Sequence, residues 1–555
     1  MAQIFGGHLT AKYLKEIENV NTVFTLSGGH IENILDGFTE YGIQTIDVRH
    51  EQAAAIMAHA WSIYTGSPGV CLVTAGPGFT NAVTGIANAY LDNAPMVVLS
   101  GRHPLRDDLT GALQEIDQIS IVRSITKWAE TCRDIKRIPE YLSIAFREAV
   151  SGRPGPVFLE LPPDILSITV NEDIVKMPRR CHRKNVTIPD QSDLKEAAKV
   201  INGAARPLFL GGSGVGFSDC KSTLNTFIKK TGILFALMNN GRGVLPDNHP
   251  LCINDGGFTG AMTALAQADV IIAAGIRFNW VLESGQIFPD AKVIRIDIKT
   301  SEIDRNRVAE VGLTGDIDDV LTQLIPLVEK REHGHWETKL RAAYSAFIAT
   351  EIQQRNTPST PIHPNRLVAR VQEFFGPDTF YVNDGGDTSY YGLCGFNSDL
   401  KSGVATPAGS LLGCIGTGVP FAMAAKIANP GKQVVLLNGD GSFGFNGMEF
   451  DTMVRLNIPI VCVINNDCAW GMIKHSQGIS IGYDRCRCSE LGVRHYEKMV
   501  EGLGGYGEFV TQDEDIIPAL QRAVDSGKPA CINVMTDCSV TSPATIQFYQ
   551  NLSDF

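Results

Sequence analysis

The 555-residue chain has no apolar run approaching the roughly 18 residues that a membrane-spanning helix needs. Its best apolar stretches, around Val270–Gly275 and Ile458–Ile464, are strand-length. It also lacks basic excess: 48 Lys and Arg against 60 Asp and Glu give a net charge of −12, which offers nucleic-acid phosphates no basic face. No basic stretch leads into an apolar one after Met1, so no secretory signal is expected. Zinc-ligand spacing is missing despite 13 cysteines, because Cys486-Arg487-Cys488 has neither the two-residue gap nor a second pair. Others (Cys71, Cys394, Cys414, Cys462) sit inside apolar runs, where a reduced buried thiol is expected. No short-period repeat appears, which excludes a solenoid. What is present is ordinary globular composition, 44% hydrophobic and 19% charged. The reading is a cytoplasmic protein whose partners are small molecules, with no nucleic acid and no membrane.

The length is too great for one core and points to about three domains. Short β-branched runs alternate with Ala-rich amphipathic stretches: Val20–Leu26, Gln44–Val48, Gly69–Val73 and Met96–Leu99 come first. Pro207–Leu210, Val270–Ala274 and Lys292–Ile298 follow, then Thr379–Val382, Gln433–Leu437, Ile458–Ile464 and Ala530–Met535. That alternation predicts α/β domains with parallel sheets and crossover helices. The pattern lapses in the charged stretch Met177–Lys184 and again in the polar stretch from Lys330 to Pro364. Three doubly wound domains are therefore expected, at 1–185, 190–335 and 350–555.

The strongest chemical signal lies in the third domain. The run Gln433–Asn438 ends in Gly439-Asp440-Gly441-Ser442, a turn whose glycines let backbone N–H groups approach an anion. The run Ile458–Ile464 ends in Asn465-Asn466-Asp467, with Asn466 lying 26 positions after Asp440. A carboxylate and an amide at the ends of neighbouring parallel strands can converge on one hard cation such as Mg²⁺, beside diphosphate oxygens.

Gly-Asp-Gly followed by Asn-Asn at this distance resembles the diphosphate and Mg²⁺ signature of thiamine-diphosphate (ThDP) enzymes. The first domain carries matching pieces: Arg49-His50-Glu51-Gln52-Ala53-Ala54, Thr74-Ala75-Gly76-Pro77-Gly78-Phe79-Thr80-Asn81 and Ala89–Pro95. Gly413-Cys414-Ile415-Gly416-Thr417-Gly418 resembles the strip that grips the cofactor's pyrimidine. The resemblance, to the acetolactate synthase-like superfamily, spans essentially the whole chain in the order pyrimidine-binding, central and diphosphate-binding domain. It implies that Glu51 shares a proton with the aminopyrimidine, a task for a desolvated carboxylate. It further implies cofactor contacts at Thr74, Asn81, Gly413, Ile415, Gly439, Gly441, Ser442 and Met472. Asp440, Asn466 and the Cys468 carbonyl are implied as metal ligands. Family members place the two ends of the cofactor on different subunits, so a homodimer is the expected minimum, often doubled to a homotetramer.

The residues expected over the reactive carbon resemble those of benzaldehyde lyases. His30, in Ser27-Gly28-Gly29-His30, and Gln114, in Ala112-Leu113-Gln114-Glu115, are the two catalytic candidates besides Glu51. A near-neutral imidazole can shuttle a hydroxyl proton, and an amide can hold a carbinol or ketone oxygen. The implied activity is a lyase/carboligase forming or cleaving 2-hydroxy ketones (acyloins) from aldehydes. Departures at Met472, where a small residue is usual, and at Pro163 leave donor and acceptor open. The alternatives are an acetolactate synthase-like transferase or decarboxylase acting on pyruvate or other 2-keto acids, and a 2-hydroxyacyl-CoA lyase. Against the latter, Ser542 to Phe555 contains no Lys or Arg to grip CoA phosphates. The central glycines Gly211, Gly212, Gly214 and Gly216 do not form the dinucleotide fingerprint. An empty structural domain is the expectation there, with FAD or ADP as the lesser alternative.

Overall fold

The computed structural model describes residues 3–180, 187–253, 263–331, 335–407 and 410–546. Three parallel sheets form as the β-branched runs imply. In the first domain β2 (Thr22–Thr25), β3 (Gln44–Asp47), β4 (Gly69–Val73), β5 (Met96–Gly101), β6 (Ala129–Thr131) and β7 (Pro156–Leu161) lie in the order β3-β2-β4-β5-β7-β6. The N-terminal β1 (Gln3–Phe5) pairs antiparallel with β8 (Thr169–Asn171), a short ribbon too brief to be read from periodicity. The central sheet has the order β10-β9-β11-β12-β13, from β9 (Pro207–Gly211), β10 (Leu234–Leu237), β11 (Val270–Ala274), β12 (Lys292–Asp297) and β13 (Val311–Thr314). The third has the order β15-β14-β16-β17-β19-β18. Its strands are β14 (Thr379–Asp384), β15 (Val404–Ala405), β16 (Gln433–Gly439), β17 (Val461–Asn466), β18 (Tyr506–Val510) and β19 (Ala530–Met535).

The stretch from Lys330 to Pro364, read as a polar break, instead carries a 22-residue helix, His335–Asn356. Its sequence is rich in Ala, Glu, Lys, Arg and Gln, which favour helix without requiring an apolar stripe. Polarity there marks a helix between domains rather than an irregular linker. Residues 181–186 of the charged stretch lie outside the described residues.

Each sheet is wound both ways from a central pair of strands, so a crevice opens at the carboxyl ends of that pair. The crevices lie between β2 and β4, between β9 and β11, and between β14 and β16. The first and third domains also share one apolar core. The helix Glu51–Thr65 packs on the helix Gly418–Ala428, with the His59 and Phe421 rings edge to face at 5.0 Å. Tyr64 meets Phe380 the same way at 5.4 Å. Burying one such side chain contributes roughly 1.5–3 kcal/mol, so this contact holds the two outer domains in register.

Candidate active site

At the first crevice, Glu51 opens its helix and is only 6% exposed. Asn81 Nδ2 donates to its Oε2 at 2.9 Å, and Gly78 leaves the space beside Oε1, where a Cβ would come within 3.3 Å. Thr74 follows β4; its Oγ1 lies 3.4 Å from Nδ1 of His30, which follows β2. Gly76, at φ +61°, lies against Gln114, and a Cβ there would sit 2.7 Å from that residue's Cβ. The crevice thus gathers Glu51, Asn81, Thr74, His30 and Gln114 around a glycine-lined turn. Gln114 is itself in the left-handed region, at φ +62°, and its Oε1 is buried with no partner. Strain plus an unpaired buried acceptor is costly, and such costs concentrate where a ligand supplies the missing partner. The supporting loop is fixed by Glu115, which accepts the N–H groups of Leu109, Gly111 and Ala112. Burial, aided by the charge of His103, holds His30 below the usual histidine range, so it is neutral at pH 7.

At the third crevice Asp440 directly follows β16, opens the helix Asp440–Asn446 and is 3% exposed. Its Oδ1 accepts from Gly441 N at 2.9 Å, and its Oδ2 has no partner. Gly441 must lack a Cβ because the Trp470 ring lies 2.5 Å from where one would stand. Asp467, which sequence reasoning passed over as part of a turn, lies half-buried beside Asp440. Burial raises Asp440 first and the Asp467 charge raises it further. A buried carboxylate crowded by a half-buried one, with one oxygen orphaned, is the electrostatic complement of a divalent cation. The buried Asn465 Oδ1 is a second orphan, whereas Asn466 Oδ1 accepts Cys468 N at 3.1 Å. Cys468 is in the left-handed region (φ +61°), and its carbonyl already accepts from Leu491 N and Gly492 N at 2.8 and 2.9 Å. Of the three metal ligands expected from sequence, Asp440 has a free oxygen, Asn466 keeps one lone pair, and the Cys468 carbonyl accepts two backbone N–H groups.

The strip Gly413–Gly418 completes this half. Gly413 and Gly416 have φ of +64° and +80°, and a Cβ on Gly416 would collide with Phe445 at 2.3 Å. Ile415, half-buried, sits between them. Asp384, at the end of β14, was also missed; it is fully buried and accepts from Gly416 N at 3.2 Å and Gly418 N at 2.7 Å. Ser442 hydrogen-bonds the same carboxylate, tying the Gly439–Ser442 turn to the strip. Met472 packs on Gly386, with Cβ and Sδ 2.7 and 3.0 Å from where a Cβ would stand.

Burial pushes Asp384 up to about 6, against the pull of its N–H donors. A carboxylate raised in the folded state costs stability once ionised, so its cost grows from about pH 4 to about pH 6 and is then complete. Two pKa units correspond to about 3 kcal/mol. The difference in unfolding free energy between wild type and Asp384→Asn should therefore shift by about 2–3 kcal/mol in the variant's favour between pH 4 and pH 7. Parallel stability curves would contradict this assignment.

One set of contacts joins the first and third domains beside the two crevices. Asn446 Nδ2 donates to Gly416 O at 2.5 Å and to Gln52 Oε1 at 3.3 Å, linking the strip to the residue beside Glu51. A polarised carboxylate pair and glycine-only approaches fit a cofactor with an anionic end held through a cation. The residues present suit ThDP and Mg²⁺.

Comparison with known proteins agrees. Models of thiamine pyrophosphate enzymes match the chain at residues 5–121 (N-terminal TPP binding domain), 194–324 (central domain) and 391–534 (C-terminal TPP binding domain). The chain belongs to the thiamine-diphosphate-dependent enzymes of the acetolactate synthase-like family. It is 35% identical to a probable acetolactate synthase of Mycobacterium bovis, over 97% of this chain and 96% of that protein. It is 31% identical to 2-hydroxyacyl-CoA lyase 1 of Homo sapiens (98% and 96%) and 29% identical to oxalyl-CoA decarboxylase of Escherichia coli (96% and 95%).

Proposed function

We propose that this protein is a ThDP- and Mg²⁺-dependent lyase/carboligase that forms or cleaves 2-hydroxy ketones by exchanging an acyl-anion unit between aldehydes. The observation that carries this reading is the pair His30 and Gln114 beside Glu51: a neutral imidazole and a strained amide with an unpaired oxygen at one crevice. When bound, ThDP supplies a carbon acid whose conjugate base adds to carbonyl groups and stabilises the resulting carbanion. Glu51 holds a proton at Oε1, the oxygen that Asn81 leaves free of its own bond. Asp440 and Asn466 hold the cation, and the Gly439–Ser442 turn presents backbone N–H groups to the diphosphate. Gly413 and Ile415 would grip the pyrimidine. Gln114 holds the substrate's carbinol or ketone oxygen. His30 takes the hydroxyl proton at Nε2 in cleavage and returns it in ligation, while Thr74 stands at Nδ1.

Met472 narrows the pocket on this reading, which favours small aliphatic substituents over aryl groups. The central-domain crevice is lined by Ser213, Gly214, Arg153, Arg277 and Asp297. Arg153 is spent on Glu302 and Asp297 (2.9 and 3.4 Å), and Arg277 donates to the Leu91 carbonyl. That favours a structural domain over an FAD or ADP site. A homodimer or homotetramer is the assembly proposed.

Holoenzyme incubated with a panel of aldehydes and 2-keto acids should yield chiral 2-hydroxy ketones from aldehydes alone. Products only from 2-keto acids, with CO₂ released, would favour the second reading, an acetolactate synthase-like transferase, which the 35% identical relative supports. His30→Ala should lower carboligation at least about 100-fold while cofactor affinity stays within a few-fold. Wild-type turnover in that variant would leave His30 a structural role only.

A further inference from the structure

Helix Glu51–Thr65 begins at Glu51, so the N–H groups just before and inside its first turn have no intrahelical acceptors. Local side chains usually satisfy such groups; here His50 accepts only the Gln52 N–H. The N–H groups of Arg49 and His50 point instead into the third domain. Both donate to Glu449 Oε1, at 2.9 and 3.1 Å, and Arg49 N also lies 3.1 Å from Oε2. Glu449 is 1% exposed and is the first residue of helix Glu449–Arg455. Its Oε2 is held from within that helix by Thr452 Oγ1 at 2.6 Å. Around this clamp, Arg455 Nη2 donates to Asp47 O at 2.7 Å and Asn446 reaches Gln52.

We infer that Glu449 is a positioning residue for Glu51: its buried carboxylate docks the backbone of Arg49 and His50 onto the diphosphate-binding domain and so sets where the proton-holding carboxylate stands. The assignment rests on the role of Glu51 proposed above. A buried carboxylate is an expensive way to accept N–H groups, because desolvation opposes its charge. What it provides is two oxygens converging on adjacent N–H groups at charge-assisted strength. Gln is nearly isosteric but offers one oxygen, and its amide N–H₂ would face the N–H donors. The clasp adds a directional polar contact next to Glu51 to the apolar packing of its helix on Gly418–Ala428, so it fixes where the start of that helix stands.

The test uses the full-length protein, with and without ThDP and Mg²⁺. In Glu449→Gln, amide hydrogen exchange of the 47–52 segment should quicken about tenfold in both states, a readout that needs no turnover. In the holoenzyme, kcat should fall about tenfold or more with the KM for aldehyde within threefold. In a Glu51→Gln background the second substitution should cost nothing further, because a positioning residue acts through the group it positions. Unchanged exchange, or an equal extra loss in the Glu51→Gln background, would overturn the inference. Thr452→Ala, which removes only the internal support of Glu449, should give the same pattern at smaller amplitude and serves if Glu449→Gln does not fold. If Glu51→Gln itself retained full activity, the proposed function would fail while the exchange data would still decide the clasp.

Discussion

Glu51→Gln should bind ThDP within a few-fold of wild type yet lose about 10²–10⁴-fold in kcat, the range that a positioned general acid or base supplies. The amide keeps the shape and can still meet Asn81, so packing around the 6% exposed side chain is preserved. It cannot hold or return a proton at the oxygen beside Gly78. The diagnostic measurement is exchange of the cofactor's C2 proton with solvent deuterium, followed by NMR after acid quench. It reports the proton-transfer role without any assumption about substrate. Exchange at the wild-type rate would remove Glu51 from that role, whatever the substrate proves to be.

Asp440→Asn should separate function from stability in the opposite sense. In the metal-free protein Asp467 lies half-buried beside the buried Asp440; desolvation raises both carboxyls, and the Asp467 charge raises Asp440 further. Replacing one by an amide removes a like-charge contact, so the cofactor-free variant should melt at or above the wild-type temperature. Stabilisation by ThDP and Mg²⁺ follows RT ln(1 + [L]/Kd), so wild type at 100 times Kd gains about 2.7 kcal/mol. The variant should lose most of that gain, with Mg²⁺-dependent ThDP affinity down about 100-fold or more. A variant that is destabilised without ligand but binds ThDP and Mg²⁺ normally would make Asp440 a structural residue.

The sequence disclosed those parts of the fold and site that depend on local geometry. Strands appeared as β-branched runs, and Gly69–Val73, Val270–Ala274 and Ala530–Met535 coincide with observed strands residue for residue. The turns at Gly416 and Gly441 were visible because a side chain there would strike Phe445 or Trp470. Residues whose importance comes from distant partners were not visible. Asp384 acts on N–H groups 32 and 34 positions away, and Glu449 on N–H groups about 400 away. Nothing in their neighbourhood marks either as more than a strand-end or helix-start acid. Asp467 was hidden by its motif: after two asparagines it reads as turn chemistry, and only its place beside the buried Asp440 reveals a paired carboxylate. The two backbone bonds that the Cys468 carbonyl accepts come from Leu491 and Gly492, which nothing in its own neighbourhood announces. The helix His335–Asn356 was obscured by its polarity, because periodicity identifies helices that bury a stripe.

The most direct test is a calorimetric titration of cofactor-free protein with ThDP, run with Mg²⁺ and again in chelator. One ThDP should be taken up per chain in the first run, with affinity collapsing in the second. Flat thermograms from folded protein under both conditions would mean that the two crevices hold some other ligand, and the account would be wrong at its base.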